Sequence, residues 1–383
     1  MRRALMKITK IEPILAGHRY LFVKVHTDSG LTGIGECGAW GYQEATAVVL
    51  KQMEKLIMGL DPMRIEFIWD ALTRNLHFRG SLVQSAISGI DIALWDLKGK
   101  FFNVPCYELL GGMVREKIKI YVNARGRNSD EVAENAAKLA ESGFKSIRFS
   151  LHHSKDKDGR CGDNFSEQVM QAEEMMKKVR EAVGWNVDVA IECHRGFRAS
   201  EAIEIGRAVK KYRPYFFEDP VPDNAEAMPE VIKQCQIPVA TGERFINPME
   251  FDTLISHSAV RYIRPDMCVA GGLTAGKKIA AQAEAKGIYL IPHNPLGPVS
   301  TAACLQLDAC IPNFEIQEYP MGNGVCRLDK EMKEPFEVEN GYIILPKKPG
   351  LGVELIDDID KVFKFEGAYG GINQHEDGSI VDR

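Results

Sequence analysis

From about Lys117 onward, short runs of β-branched and aromatic residues alternate with longer amphipathic stretches, the pattern of βα units wound around a parallel sheet. The runs IKIYVN, SIRFSL, VDVAIEC, YFFED, PVATGE, VRYIRPD, IYLIPH and NFEIQE predict eight strands. Between them, FSEQVMQAEEMMKKVREAVG reads as a helix capped by Ser166 and stopped at Gly184, and LTAGKKIAAQAEAKG as one capped by Thr274 and stopped at Gly287. Eight parallel strands with helical crossovers fit a TIM-type α/β barrel better than an open sheet.

The first 116 residues follow another pattern. KITKIEPILAG, YLFVKVHTDSG and LTGIGECGAW predict a small meander with a turn at Asp28-Ser29-Gly30, and AISGIDIALWDLKGK carries Ile87, Ile90, Leu94 and Leu97 at helical spacing. The reading is an α+β domain over 1–116, a barrel over 117–345 and a strand-poor C-terminal segment over 346–383. Gly367 to Arg383 is rich in glycine and charge, so its last turns are expected to be disordered.

Composition narrows the classes. A chain of 383 residues suits a barrel of about 250 residues plus a second domain. Hydrophobic content of 45%, charged content of 26% and a formal charge of -5 describe an ordinary soluble protein, with no electrostatic footprint for nucleic acid or an anionic membrane. No apolar run is long enough to span a bilayer, and Lys7, Lys10 and Glu12 interrupt what would be a signal-peptide core. Nine scattered cysteines with no C-x-x-C pair make neither a disulfide framework nor a zinc site, so a reducing, cytoplasmic setting is expected.

In such a barrel the catalytic groups project from the C-terminal ends of strands. Glu192, Glu218, Glu243, Asp266, His293 and Glu318 close successive strands at intervals of 23 to 27 residues, one βα unit each, which places them around one mouth. Three converging carboxylates repel one another in a low-dielectric pocket unless a cation neutralises them. Oxygen-only ligands suit Mg²⁺ better than zinc, so Glu192, Glu218 and Glu243 are the candidate metal ligands. Asp266 and His293 end neighbouring strands, and the carboxylate can fix the imidazole tautomer and raise its basicity. His194 lies two residues beyond Glu192 and so is expected on the same side as that ligand, as a second proton carrier. A solvated strand end or a structural histidine is the plain alternative for any one of these residues, but not for the whole set in step. His152 and His153 read as part of a solvated loop after strand two, and Cys193 as a buried thiol facing away from the site. Trp40, Tyr42, His77 and Arg79 fall on loops of the first domain that either close over a substrate or pack.

GIGECGAW, AISGIDIALWDLKGK and PCYELLGG ahead of the barrel, ECH, FFEDP and ATGER at the glutamates, then RPDMCVAGGLT, IPHNPLGPVS, PNFEIQEY and PGLGVEL, resemble in order and spacing the enolase superfamily, mandelate racemase-like branch. The resemblance covers nearly the whole chain. It implies a capping domain made of both chain ends on a (β/α)7β barrel, Mg²⁺ on Glu192, Glu218 and Glu243, and the His293–Asp266 pair as base. Within the branch the pattern is most similar to acid-sugar dehydratases. Their general acid, two residues after the first ligand, falls on His194, and their base in PH-x-PLGP falls on His293. A last-strand glutamate that stabilises the enediolate intermediate falls on Glu318. Two departures stand out: Glu192 replaces the aspartate of many relatives, and strand two ends in Lys145-Ser-Ile-Arg148, without the K-x-K lysine of racemases. That ending is similar to mannonate-acting members, which pair the arginine with a tyrosine. None occurs between Leu151 and Phe165, so Arg148 carries over only as a substrate contact, beside Trp40 and Arg79.

An α-proton next to a carboxylate is far too weakly acidic for a histidine of pKa about 6.5 to remove unaided, so the metal must offset the second negative charge as it forms. The resemblance then implies Mg²⁺-dependent dehydration of an aldonate such as galactonate, gluconate or mannonate to a 2-keto-3-deoxy acid. His293 takes the proton from carbon 2 and His194 protonates the hydroxyl leaving carbon 3. A racemase or epimerase using the same histidines, and a non-catalytic metal-holding relative, are the alternatives; the second predicts loss of a ligand or base, and none is lost. The expected partners are a small-molecule acid sugar and further copies of the chain in a homo-oligomer.

Overall fold

A computed structural model describes residues 6–38, 40–151, 162, 164–222, 228–257, 259–322, 325–326, 330–367 and 371–381. His152 and His153 lie outside the described residues.

The N-terminal region folds as expected into a meander of β1 (Ile8–Ala16), β2 (Tyr20–Thr27) and β3 (Thr32–Glu36), paired antiparallel in chain order. Four helices follow: α1 (Gln43–Ile57), α2 (Ile65–Asn75), α3 (Ser81–Phe102) and the short α4 (Cys106–Leu109). Strand β3 lies directly on α3, because Gly33 and Gly35 carry no side chain; a Cβ on either would stand 1.9 Å from the carbonyl oxygen of Ala93 or Gly89. The stripe Ile87, Ile90, Leu94 and Leu97 is buried, as the spacing predicts. The same helix also buries Ser88, Asp91 and Asp96, which the stripe does not explain.

The barrel strands are β4 (Lys117–Asn123), β5 (Ser146–Ser150), β6 (Asp188–Glu192), β7 (Phe217–Glu218), β8 (Val239–Thr241), β9 (Tyr262–Ile263), β10 (Tyr289–Leu290) and β11 (Gln317–Gly322). Between them run α5 (Ser129–Glu141), α6 (Phe165–Val183), α7 (Ala199–Val209), α8 (Met228–Cys235), α9 (Pro248–His257), α10 (Gly272–Glu284) and α11 (Pro298–Cys310). Each strand from β4 to β9 pairs parallel with the next, β11 pairs parallel with β4, and a parallel bridge between Leu290 and Phe314, just ahead of β11, closes the circle. This is a (β/α)7β barrel, in which the last strand leads to no outer helix among the described residues. Its floor is an apolar layer of Tyr121, Ala190, Phe216, Ala240, Tyr262, Ile291 and Ile316.

Two helix starts differ from the expectation. Asn164, not Ser166, caps α6, accepting from the N–H of Glu167 at 3.2 Å, while Gly184 ends that helix as predicted. Gly271 is the cap of α10, so Thr274 sits inside the helix, which ends at Glu284 short of Gly287. Thr274 imitates a cap in the sequence because its partner is remote. Asp91 on α3 accepts from the Thr274 N–H at 3.0 Å and from its hydroxyl at 2.6 Å, so the acceptor that the Gly271 cap lacks is supplied by a carboxyl of the other domain. Ser88 accepts from the Gly271 N–H at 2.8 Å, and the Trp69 indole donates to the Gly271 carbonyl at 2.8 Å.

After β11 the chain forms the short strands β12 (Val325–Cys326), β13 (Val338–Glu339) and β14 (Tyr342–Ile344), then returns to the N-terminal region. Asp96 holds the Leu351 N–H at 2.9 Å and the Ile34 N–H at 2.9 Å. The short helix α12 (Ile359–Val362) brings the Phe363 carbonyl to the Gly17 N–H at 2.7 Å. The expectation of disorder beyond Gly367 is corrected for residues 371–381, which make a small hairpin joined by a bridge between Gln374 and Ile380. Its turn is fixed by Asp377, whose carboxylate accepts from the Ser379 N–H and hydroxyl. Among the described residues no helix is long and apolar enough to cross a membrane.

Burial raises the Asp91 carboxyl to about 7 and, in the same joint, the Glu36 carboxyl to about 8. Between pH 4 and these values the native state therefore binds more protons than the unfolded chain, and stability falls as pH rises through the window. Asp91→Asn, which keeps an acceptor for Thr274 without the charge, should flatten the decline in unfolding free energy between about pH 5 and pH 7 in urea titrations. An unchanged slope would mean that Asp91 does not titrate in that range.

Candidate active site

Glu192 and Glu218 end adjacent strands and are register partners across β6 and β7. Glu243 lies two residues past β8, beyond Gly242, whose φ of +115° turns the chain across the mouth. The three are buried, and one carboxylate oxygen of each lies within 4.8 Å of the other two. This is the set expected from the strand-end spacing. Oε2 of Glu218 is buried with no hydrogen-bond partner among the described residues. An anionic oxygen in that position needs a cation, and an all-carboxylate cluster has the chemistry of a hard dication site.

Cations of the chain itself come from below. Arg264 is fully buried, and its guanidinium reaches Glu218 at 2.8 Å, Glu318 at 2.9 Å and the Tyr121 hydroxyl at 2.8 Å. Arg148 is also buried, and it contacts Glu192 at 3.0 Å, Glu318 at 2.7 Å and, closely, Glu218, with Nε donating to Asn123 at 2.8 Å. On the other flank Arg195 bridges Asp219 at 2.8 Å and Glu243 at 2.7 Å. Burial and the Glu218 charge push the Glu192 carboxyl well above its usual range. Burial and the Glu243 charge likewise push Asp219 to about 7. Glu243 is held low despite its burial, by His293 and then by Arg264 and Arg195. Glu318, also buried, is held near 2 by Arg148 and Arg264.

His293 lies three residues past β10 and bridges in parallel to Asp266. Its Nδ1 meets Asp266 Oδ2 at 2.9 Å and its Nε2 stands 3.5 Å from Glu243 Oε2, so the ring spans the expected carboxylate partner and a cluster ligand. Burial alone would lower its pKa, but the Glu243 charge and the Asp266 hydrogen bond raise it to about 9.

His194 reaches the mouth by a different route from the one expected. Strand β6 stops at Glu192, and His194 and Arg195 take left-handed conformations with φ of 51° and 61°, so strand alternation does not apply to them. The turn is tied down where the His194 N–H donates to Glu192 Oε1 at 2.7 Å and the Arg195 N–H to the Asp219 carbonyl at 2.7 Å. The imidazole is exposed, and its pKa is lowered by desolvation and by Arg195. Cys193 is buried in the core beside it, as expected.

Trp40 and Arg79 sit exposed on loops of the N-terminal domain, with the Arg19 guanidinium 4.7 Å over the Trp40 ring. Two residues before Trp40, the Gly38 N–H donates to the Cys268 carbonyl of the barrel at 2.9 Å. The residue pattern missed Arg264, Arg195 and Asp219. Arg264 carried a usable signal, since a charged residue two positions before Asp266 in an apolar strand shares its inward face. Arg195 carried none, because only its left-handed turn aims it.

A closed parallel barrel with buried glutamates converging at its mouth, a histidine–aspartate pair beside them and a cap built from both chain ends defines a metal-binding barrel enzyme. The chain belongs to the enolase superfamily, in its mandelate racemase/muconate lactonizing enzyme branch. Residues 131–359 match the Enolase C-terminal domain-like family, and residues 14–111 match the Mandelate racemase / muconate lactonizing enzyme N-terminal domain. The chain is 38% identical over 361 residues to the D-galactonate dehydratase of Pectobacterium atrosepticum, covering 92% of this chain and 93% of that protein. It is 36% identical to the D-galactonate dehydratase of Cronobacter sakazakii, covering 98% and 100%. In structure it is similar to an enolase from Agrobacterium radiobacter bound to Na and L-malate, with a TM-score of 0.91, 29% identity and coverage of 98% and 99%. It also resembles the mandelate racemase/muconate lactonizing enzyme of Jannaschia sp. CCS1, with a TM-score of 0.86, 29% identity and coverage of 95% and 99%.

The orphaned Glu218 oxygen makes the metal testable. Glu218→Gln should weaken Mg²⁺ binding, measured by calorimetry, by more than the ~10–100-fold that loss of an outer partner costs. Unchanged affinity would remove Glu218 from the ligand set.

Proposed function

We propose that the chain is an acid-sugar dehydratase that converts an aldonate of the galactonate type to its 2-keto-3-deoxy acid, with Mg²⁺ held by Glu192, Glu218 and Glu243. The observation that carries this reading is the placing of two histidines of different environment beside one carboxylate cluster, His293 paired to Asp266 and His194 exposed in the turn after Glu192. The relatives named D-galactonate dehydratase support the substrate class. A dication bound to the cluster would supply charge for the enediolate and, by taking up the Glu243 charge, remove the attraction that keeps His293 protonated.

His293 then accepts the carbon-2 proton at Nε2, while Asp266 holds Nδ1–H and fixes the tautomer. His194, open to water, delivers a proton to the hydroxyl leaving carbon 3. Glu318 is ionised and fully engaged with Arg148, Arg264 and the Asn294 N–H, so it acts on the enediolate by fixing the two guanidiniums. Arg148 is assigned to the substrate from the barrel side, and Trp40 and Arg79 from the cap loops. Strand β5, Ser146–Ser150, carries no lysine to serve as the second base of a racemase, which favours elimination over epimerisation.

A second reading reverses the histidines: with the cluster carboxylates uncompensated, the pKa of His194 is lowered and that of His293 is raised by Glu243, the order suited to a base and an acid respectively. Solvent exchange at carbon 2 separates the two. In the proposed assignment His293→Asn abolishes both exchange of the carbon-2 hydrogen in deuterated solvent and dehydration. His194→Asn stops dehydration yet retains exchange. The mirror-image result would establish the reversed roles, and no 2-keto-3-deoxy product from any aldonate would sink the dehydratase reading itself.

A further inference from the structure

The geometry points to Glu36, the last residue of cap strand β3, as a positioning residue for the His293–Asp266 pair, acting through the helix that comes after His293. The inference rests on the assignment of that pair as acid–base machinery. His293 lies off its strand, since β10 ends at Leu290, so the strand alone does not fix it. Beyond His293 a buried polar network runs from the site to the cap. Glu36 is fully buried, with Oε1 accepting from the Gly297 N–H at 2.7 Å and Oε2 from the Ser300 N–H at 2.8 Å. Gly297 is the N-cap of α11 and Ser300 lies in its first turn, where N–H groups have no partner within the helix.

From there the contacts run back to the site. The Ser300 hydroxyl donates to Asn294 Oδ1 at 2.9 Å, and the Asn294 amide donates to Thr301 Oγ1 at 2.8 Å. The Asn294 N–H donates to Glu318 Oε2 at 3.1 Å, and Asn294 adjoins His293 in the chain. Ser300, Thr301 and Asn294 are all fully buried, so this network has little slack. A second arm leaves the same cap segment. The Gly38 N–H holds the Cys268 carbonyl at 2.9 Å, and the Cys268 N–H donates to Asp266 Oδ1 at 2.7 Å, orienting the carboxylate that holds His293 Nδ1. Gly297 has no room for a side chain, since its Cβ would stand 2.6 Å from Glu36 Oε1, so the approach of the carboxylate to the helix is part of the packing. One short stretch of cap, Glu36 to Gly38, is thus linked to both members of the pair, to His293 through its neighbour Asn294 and to Asp266 through Cys268.

Glu36→Gln keeps size and shape but replaces one carboxyl oxygen, which accepts an N–H even when the acid is protonated, with an NH2 that cannot accept, so one of the two bonds is lost. Asp96→Asn serves as the control, because Asp96 also ties β3 into the fold but through Ile34 and Leu351, away from His293. Tm of both variants, kcat and KM on the aldonate used by the wild type, and the Nδ1–H proton resonance of His293 in the full-length protein would be measured. The expected result is a kcat loss on the order of a hundredfold in Glu36→Gln, the scale of a misplacement of about 1 Å, with KM within about threefold. The His293 Nδ1–H resonance should shift or broaden, while Asp96→Asn at a similar Tm loss shows neither effect. A loss of kcat no larger than that of Asp96→Asn, or an unmoved His293 resonance, would overturn the proposal. If Glu36→Gln does not fold, Glu36→Asp, which is one methylene shorter, is read by the same criteria. Should the wild type turn over no aldonate, the dehydratase reading fails, and the resonance alone decides the role of Glu36.

Discussion

Too much negative charge in too little space governs the barrel mouth. The carboxylates of Glu192, Glu218, Glu243, Glu318, Asp219 and Asp266 are all buried there, against the guanidiniums of Arg148, Arg195 and Arg264. A like pair of charges 4 Å apart costs about 4 kcal/mol even at an effective dielectric constant near 20, so the cluster cannot stand fully ionised on its own cations. The strain shows in which groups hold protons. Glu192 and Asp219, each facing another acid, are pushed toward the neutral form, whereas Glu318, flanked by two guanidiniums, keeps its charge. His293 is drawn into the same balance through Glu243, which is why its basicity depends on what else neutralises that carboxylate. The arginines do not abolish the excess; they divide it, leaving Glu218 Oε2 without a hydrogen-bond partner among the described residues, a charge that a dication would offset.

Between cap and barrel the same kind of group solves a different problem. Every barrel helix begins with N–H groups that the helix cannot satisfy. On α10 and α11 these are taken by carboxylates from the cap, Asp91 for the first and Glu36 for the second. The domain joint is therefore more than apolar contact, because it completes the hydrogen bonding of the helices that come after Asp266 and His293. Removing the cap would leave those donors unpaired as well as uncovering α10, which packs on α3.

Much of this is legible in the chain, and the legible part has a common cause. Glu192 and Glu218 end their strands as the βα repeat predicts, and Glu318 keeps to the same step although β11 starts at Gln317 and runs on to Gly322 instead of ending there. The meander and the buried stripe of α3 come from periods of two and 3.6 in the same way. What escapes is whatever depends on a partner remote in sequence or on an unusual backbone. Thr274 looks like a cap because the true capping carboxylate lies 183 residues earlier. Strand alternation would put His194 at the mouth, but the alternation ends at Glu192; the left-handed turn puts it there instead, and the same turn hides Arg195. Glu36 cannot be read as a tether, since nothing in GIGECGAW says that its carboxylate meets a helix 261 residues later.

The brevity of the strands links these points. β7, β9 and β10 are two residues long, so a residue's place in the repeat fixes its direction around the barrel but not its height or tilt. Glu218 needs no further support, because it lies within its strand and is gripped by two arginines. Both histidines lie beyond their strands and must be held by something else. For His194 that support belongs entirely to the barrel: the Glu192 carboxylate takes its N–H, and Arg195 is locked onto Asp219 and Glu243. For His293 it comes from Asp266 and from the network of Asn294, Ser300 and α11, both of which terminate on cap residues. Among the described residues the two histidines thus answer to different parts of the fold, His194 to the barrel and His293 to the closed joint of cap and barrel.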